Sequence, residues 1–321
     1  MKYVVFGGTG YLGSHLVDQL ISLGHQVVIF DNTSGKVVTE FESPVSIVKG
    51  EITKAEDLHK LDQFNDIDGA FHLAAKKSVP ESLLNPDLYE QVNQIGTSNV
   101  IDYCLTRGIN KFIYSSSAAV YGNIDSNEVI TEDFLCNPIN PYGSSKLSGE
   151  LLLSKVTETA NLSALSLRIF NIVGAEHAKY FDFAGENVLP IIMRKMLDEQ
   201  EFMVYGNAYN THDGTCVRDY VNIRDVANAH IDAMNYLFSI PNVNGHKVVN
   251  ISSGMGFSIL DLINKINTLS KSELKWRFGE NRAGDPASVI GSNNLAFQLL
   301  GWAPSIDLDQ GIKETIAAFN L

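Results

Sequence analysis

Tyr142 and Lys146 stand four residues apart in the run Asn140-Pro141-Tyr142-Gly143-Ser144-Ser145-Lys146. Asn140 suits a helix N-cap and Pro141 a first helical residue, so the sequence predicts a helix that opens here. On its opening turns the phenol and the ammonium share one face. A phenol ordinarily loses its proton at about pH 10. A fixed cation beside it favours the phenolate, and such a pair can take the proton from an alcohol. The same spacing also describes two snorkelling side chains on a surface helix. The elements around the pair decide between these readings.

Those elements alternate. Lys2–Phe6, Gln26–Phe30, Val45–Val48, Gly69–Leu73, Lys111–Ser115 and Leu165–Phe170 read as short apolar strands. Tyr11–Leu23, Pro86–Thr106 and Pro141–Thr159 read as helices between them. Buried strands alternating with helices imply an α/β fold, a Rossmann-type doubly wound parallel sheet covered on both faces. The second half is less regular. Helical stretches at Val188–Glu199, Arg224–Phe238, Ser258–Leu269 and Asp307–Phe319 mix with strands near Met203–Tyr205 and Lys247–Ile251. The expected division is a cofactor domain over 1–172, with some later segments returning to it, and a mixed α/β substrate lobe over 173–321. A cleft between lobes is the default ligand site.

The first strand runs into Gly7-Gly8-Thr9-Gly10-Tyr11-Leu12-Gly13 and then a helix. Gly7, Gly10 and Gly13 fit a dinucleotide turn, in which the backbone approaches a pyrophosphate at a helix N-terminus. Asp31 ends the second strand, eighteen residues beyond Gly13. Its carboxylate would accept from adenosine ribose hydroxyls and repel a 2′-phosphate, which favours NAD over NADP. Ser115-Ser116-Ser117 follows a later strand of the same sheet, and Ser117 could align a reacting hydroxyl with Tyr142.

Composition narrows the partners. The chain has 321 residues, 45% apolar and 19% charged, with a net charge of −13. That balance argues against nucleic acid or an anionic membrane as partner. Cys104, Cys136 and Cys216 are widely spaced, which suits a reducing compartment and gives no disulfide or zinc signal. The eight histidines are scattered, so no metal is expected. His72 and Cys216 read as core residues. The short N-terminal apolar run breaks into glycines and no stretch is long enough to span a bilayer, so the expectation is a cytoplasmic protein.

The set of motifs resembles the extended branch of the short-chain dehydrogenase/reductase superfamily, and within it the UDP-glucose (UDP-galactose) 4-epimerases. The resemblance covers nearly the whole chain through GGTGYLGSH (7–15), DN (31–32), HLAAKKSVPES (72–82), SSSAAVYG (115–122), NPYGSSK (140–146), RIFNIVGA (168–175), DGTCVRDYV (213–221) and RAGD (282–285). It implies that Tyr11, Leu12, Asp31 and Asn32 hold the NAD phosphates and adenosine ribose, with Glu51 and Ile52 beside the adenine. Leu73, Ala74, Ala75, Lys77 and Asn93 would line the cofactor path, with Phe170 by the nicotinamide. Tyr142 would be the base, helped by Ser117, while Lys146 lowers its pKa and binds the nicotinamide ribose. Asn171, Asn187 and Val188 would touch the nucleotide sugar, and Met203, Val204 and Tyr205 would flank the uracil. Arg218 and Arg282 would clamp the diphosphate and Asp285 would take the uridine ribose. Arg is suited to that task because its planar fork matches phosphate oxygens. Read alone, Arg218 and Arg282 could instead be surface ion pairs with Asp219 and Asp285, the lesser reading.

The reaction so implied inverts C4 of a UDP-hexose through a 4-keto sugar, with NAD held throughout. Related 4,6-dehydratases carry acidic residues just after the serine run; Ala118 and Ala119 stand there in this chain. Ala119 replaces a usual Thr, Ile169 an aromatic, and Ile172 a Pro or Val, and the loop Glu176–Glu186 is short. Ser288 falls where some relatives have a Tyr closing on the sugar 2-position, so the N-acetyl sugars are also expected to fit. A UDP-glucuronate or UDP-pentose 4-epimerase, a dehydratase, and a non-catalytic NAD-binding regulator are the alternatives. The resemblance further implies a homodimer, with Pro86–Thr106 and Pro141–Thr159 forming a four-helix bundle across the two-fold.

Overall fold

In a computed structural model the short apolar runs pair side by side. The structure describes residues 1–34, 38, 40–41, 43–124, 128–183, 185–240, 245–281 and 286–321. The strands of the first half are β1 (Lys2–Phe6), β2 (Gln26–Asp31), β3 (Ser46–Lys49), β4 (Gly69–His72), β5 (Lys111–Ser117) and β6 (Ser163–Ile169). Then come β7 (Asn171–Val173), β8 (Phe202–Tyr205), β9 (Val217–Asn222), β10 (Gly245–Ile251), β11 (Gly256–Ser258), β12 (Trp276–Gly279) and β13 (Ser288–Val289). Among the described residues the main sheet has seven strands in the order β10-β6-β5-β4-β1-β2-β3, all parallel. The order reverses beside β1, so the carboxyl ends of β1 and β4 form the crevice where such sheets bind ligands.

Both faces are covered, which is why these strands are apolar throughout rather than alternating. One face packs Val5, Ile29, Phe71 and Leu165 with Leu16 and Leu20 of the Tyr11–Ser22 helix and Val226 and Met234 of the Ile223–Ser239 helix. The other packs Val4, Phe6, Phe112 and Tyr114 with Val100 and Leu153 from the helices at 86–106 and 141–159. The second lobe has its own core, where Tyr220 and Val204 meet Ile192, Ile266 and Ile312.

Two elements differ from the sequence expectation. The 86–106 helix is interrupted by a π-helical turn at Glu90–Ile95. The wider turn carries Asn93 inward, and such turns mark positions where a side chain is re-aimed. Val217–Asn222 is a strand the apolar pattern does not announce, because Arg218 and Asp219 interrupt it. It is nonetheless the centre of the second lobe's sheet, paired with β7, β11 and β13. Among the described residues no helix is long and apolar enough to cross a membrane.

Candidate active site

The candidate residues of the first half gather at the carboxyl ends of the parallel strands. Gly7 follows β1, Asp31 ends β2, Leu73 follows β4, Ser117 ends β5 and Phe170 follows β6. The glycine turn has the shape of a cradle. Gly7 has φ +83°, and a Cβ there would come within 2.6 Å of the Ala74 amide nitrogen. A Cβ on Gly13 would strike the Gly7 carbonyl oxygen at 2.1 Å. Gly10 is the helix N-cap and offers no side chain to the first amides, which stay free for an external anion. A dinucleotide pyrophosphate fits these features.

Asp31 is buried and anchors the turn by accepting from the Thr9 amide at 3.1 Å and the Thr33 amide at 2.8 Å. A carboxylate has further lone pairs for ribose hydroxyls. Asn32 donates to Glu51 at 3.2 Å, so the two residues expected near the adenosine touch each other. Ile52 is buried against Gly96. Tyr11 points away from the turn: its hydroxyl donates to the Gly174 carbonyl, linking the lobes. At the turn itself Tyr11 has only its main chain to offer.

Asn140 caps the 141–159 helix through its side-chain oxygen, 2.8 Å from the Gly143 amide, and Pro141 is the first helical residue. Gly143 lets the helix start press on the Ala119 carbonyl, which a Cβ would meet at 2.5 Å. Tyr142 is thereby brought near the Ser117 hydroxyl. Burial pushes the Tyr142 phenol up and the Ser117 hydroxyl pulls it back. Lys146 is buried, with Nζ 2.7 Å from the Ser115 carbonyl and 5.0 Å from the Tyr114 ring centre. Burial lowers its pKa to about 7, and the Glu150 carboxylate works against that shift. Burial is therefore the largest influence on both groups.

Asn93 is 1% exposed and fully engaged. Its amide brackets the Lys76 backbone, accepting at 2.8 Å and donating at 2.9 Å, and also donates to Ser145 of the 141–159 helix at 2.9 Å. It ties the loop after β4 to that helix rather than offering a free donor. Lys77 pairs with Asp182 across the lobes at 2.6 Å. Leu73 and Ala74 bond their amides to the Phe6 carbonyl at 2.9 Å, and with Ala75 they run beside the glycine turn. Phe170 packs on Gly291. His72 is a core histidine, bonded to Thr97 at 2.9 Å and lowered by burial to about 3.

On the substrate side Asn171, Asn187 and Tyr205 are exposed, and Val188, Met203 and Ser288 are partly buried. Asn187 makes no capping bond to the helix it precedes. Along β8, Met203 lies against Gly279, whereas Val204 turns its side chain into the core, so only its main chain faces the same side as Tyr205. Arg218 does not pair with Asp219. Its Nη1 bonds the carbonyls of Val217 and Pro286 at 2.8 and 2.9 Å, while Asp219 accepts from Ser253, Gly254 and Gly291. Arg282 and Asp285 lie outside the described residues. His212, Asp213 and Asp261 come together near the second lobe, but both carboxylates are engaged at Ser258, where a helix starts.

Sequence reasoning missed two features. His15 accepts from the Glu176 amide at 3.2 Å, and with Tyr11–Gly174 and Tyr180–Asp18 it fastens the second lobe to one face of the cofactor helix. The spacing 11, 15, 18 is the signal that could have shown it. Glu150 and Arg168 form an ion pair, 4% and 5% exposed, beside the serine run. Glu150 stands one turn beyond Lys146, so its position was legible though its partner was not.

The model of the NAD dependent epimerase/dehydratase family matches residues 3–252. A UDP-glucose 4-epimerase of Lacticaseibacillus casei is 35% identical over 319 residues, covering 98% of this chain and 95% of that protein. The solved UDP-glucose 4-epimerase of Stenotrophomonas maltophila, with bound NAD and a formylated UDP-arabinopyranose, superposes with a TM-score of 0.93 at 32% identity, covering 100% of this chain and 98% of that one. A UDP-N-acetylglucosamine 4-epimerase of Methanobrevibacter ruminantium superposes with a TM-score of 0.86 at 30% identity, covering 99% and 98%.

Proposed function

The chain belongs to the NAD dependent epimerase/dehydratase family, and from that premise we propose that it inverts C4 of a UDP-hexose, UDP-glucose to UDP-galactose and back, with Tyr142 as acid and base. The carrying observation is Tyr142 near the Ser117 hydroxyl and one helical turn from buried Lys146, at the carboxyl end of a sheet whose first turn has the shape to take a pyrophosphate. NAD, when bound, supplies the acceptor and donor of the C4 hydride, and its nicotinamide brings positive charge that favours the phenolate. Ser117 aligns the C4 hydroxyl with the Tyr142 oxygen, which takes the proton. Lys146 stabilises the phenolate before that transfer, lowering the Tyr142 pKa, and binds the nicotinamide ribose. After the 4-keto sugar turns about its diphosphate, Tyr142 returns the same proton to the product alkoxide, so there is no net redox change.

Arg218 is assigned to the diphosphate, for which its planar guanidinium is suited. Asn171, Asn187, Val188, Met203, Tyr205 and Ser288 are assigned to the nucleotide sugar, and 1–172 with strand β10 to NAD. Ser288 leaves room for an N-acetyl group, and a structural relative is named a UDP-N-acetylglucosamine 4-epimerase. Exposed Ile95 and Leu151 on the 86–106 and 141–159 helices suit a homodimer built through a four-helix bundle. Three free cysteines suit the cytoplasm.

Incubating the purified chain with UDP-galactose and UDP-N-acetylgalactosamine, without added NAD, tests the whole reading. Conversion of both is expected, and conversion of neither overturns it. Tyr142→Phe keeps its NAD and loses turnover; undiminished turnover would remove Tyr142 from the mechanism.

A further inference from the structure

The three serines at the end of β5 each reach a different turn of the catalytic helix. The Ser117 side chain lies near Tyr142, the Ser115 carbonyl takes the Lys146 ammonium at 2.7 Å, and the Ser116 hydroxyl donates to Glu150 at 2.5 Å. Tyr142, Lys146 and Glu150 are spaced four and four, so the three rungs lie along one helix face. The first two rungs carry the chemistry. We propose that the third is a positioning device for them: Glu150, fixed by Arg168, sets the register of the catalytic helix against the serine run and keeps Lys146 an ammonium. This rests on the roles given to Tyr142 and Lys146 above.

The carboxylate is held rigidly. Arg168 Nη2 lies 2.7 Å from Oε2 and Nε lies 3.0 and 3.2 Å from the two oxygens. Its Nη1 donates to the Tyr121 hydroxyl and the Glu132 carbonyl, and Tyr121 in turn donates to Asn250 on β10. From the opposite face of the sheet, the Ser115 hydroxyl meets His230 at 2.8 Å. The strand end is thus gripped from both sides, with side chains alternating as a strand requires. A buried ion pair gives little net stability over an apolar replacement of the same volume, so stability alone does not explain this one.

The electrostatics agree. Burial presses Lys146 down to about 7, and Glu150 acts in the opposite direction. The other titratable groups facing Lys146 are uncharged at neutral pH. Burial takes His72 on β4 to about 3, and it raises Tyr114 on β5 and Tyr142 on the same helix. The counter-charge comes from Glu150.

Glu150→Gln keeps the shape and removes the charge. The first readout needs no substrate: the titration of Lys146 in the NAD-bound protein, followed by NMR of lysine labelled at the ε-carbon and assigned with Lys146→Arg. The midpoint should fall by about one pH unit. The second is kinetic, with kcat for the UDP-sugar falling about tenfold and KM staying within about threefold. An unmoved midpoint or an unchanged kcat overturns the proposal. Ser116→Ala cuts the tether but leaves the ion pair, so kcat should fall while the Lys146 midpoint stays. If Glu150→Gln does not fold, Ser116→Ala decides, and full kcat there overturns the proposal. Were the wild-type chain to convert no UDP-sugar, the NMR midpoint would still report, so failure of the functional reading is seen separately.

Discussion

Gly10 and Gly13 sit in one turn, yet a methyl group added to each meets different things. On Gly13 the new Cβ would lie 2.1 Å from the Gly7 carbonyl oxygen and 2.7 Å from the Gly8 Cα. All of that is backbone, so no rotamer relieves it and the turn must open, at an overpacking cost of about 1–3 kcal/mol. On Gly10 the nearest atom is the Gly7 oxygen at 3.5 Å, an ordinary contact. Its φ of −75° suits any residue. Gly10→Ala should therefore lose only the N-cap preference, about 1 kcal/mol, or a Tm shift of about 3 °C. A pyrophosphate resting on this turn would meet the methyl group directly. The same overpacking range of about 1–3 kcal/mol then becomes about 5- to 150-fold weaker NAD binding. The assay is NAD per chain after acid release, run beside a thermal melt. Gly10→Ala should melt nearly as the wild type and carry little NAD, whereas Gly13→Ala should lose both stability and NAD. Gly24→Ala, at φ +80° with nothing within 4 Å, is the control that pays only backbone strain, about 1–2 kcal/mol, and keeps NAD. A Gly10→Ala protein that purifies with the full complement of NAD would refute the placement of the pyrophosphate.

Three other outcomes follow from the geometry. Lys146 is lowered to about 7 from an ordinary 10.5, so between those values the unfolded chain binds more protons than the folded one. Stability of the NAD-free protein from this residue should rise between pH 7 and 10 and carry its full cost below 7; denaturant titrations of Lys146→Met should lack that slope, and an identical slope would contradict the burial argument. Ser288→Tyr fills the space assigned to an N-acetyl group, so product analysis should show conversion of the N-acetyl sugars falling about tenfold or more while the plain hexoses persist. Leu151, 62% exposed, should be covered by a second copy; Leu151→Glu should shift light-scattering mass from dimer to monomer, and a wild-type chain that scatters as a monomer would remove the bundle.

The first half of the fold was legible because its strands are short, continuous and apolar, and because the turns between them carry residues with specific backbone demands. Gly7 and Asn140 are such residues, and both do at their positions what their types suggest. Strand β9 was not legible. Its apolar residues are broken by Arg218 and Asp219, whose presence there is explained by partners distant in sequence, Pro286 and Ser253. The π turn at 90–95 was hidden for the same reason: the local sequence reads as plain helix, and only the Lys76 backbone and Ser145 show why Asn93 is turned inward. Spacing exposes residues that act within one helix. It does not expose a contact made across the sheet.

The distribution of burial fits the work a 4-epimerase has to do. One base must serve both faces of the sugar, so either the base or the sugar must move between the two transfers. Lys146, Ser145 and Glu150 are buried in the catalytic helix, and Asn93 bolts that helix to the loop after β4. The cofactor helix is fastened to the second lobe at three successive positions, Tyr11, His15 and Asp18. Neither can shift without breaking buried hydrogen bonds, each costly to leave unmade. Asn171, Asn187 and Tyr205, by contrast, stand exposed and Ser288 is small, so the wall assigned to the sugar is not held by buried contacts of this kind. On the proposed assignment the moving part is the sugar, which would turn about a diphosphate held by Arg218 while Tyr142 stays in place and handles the same proton twice.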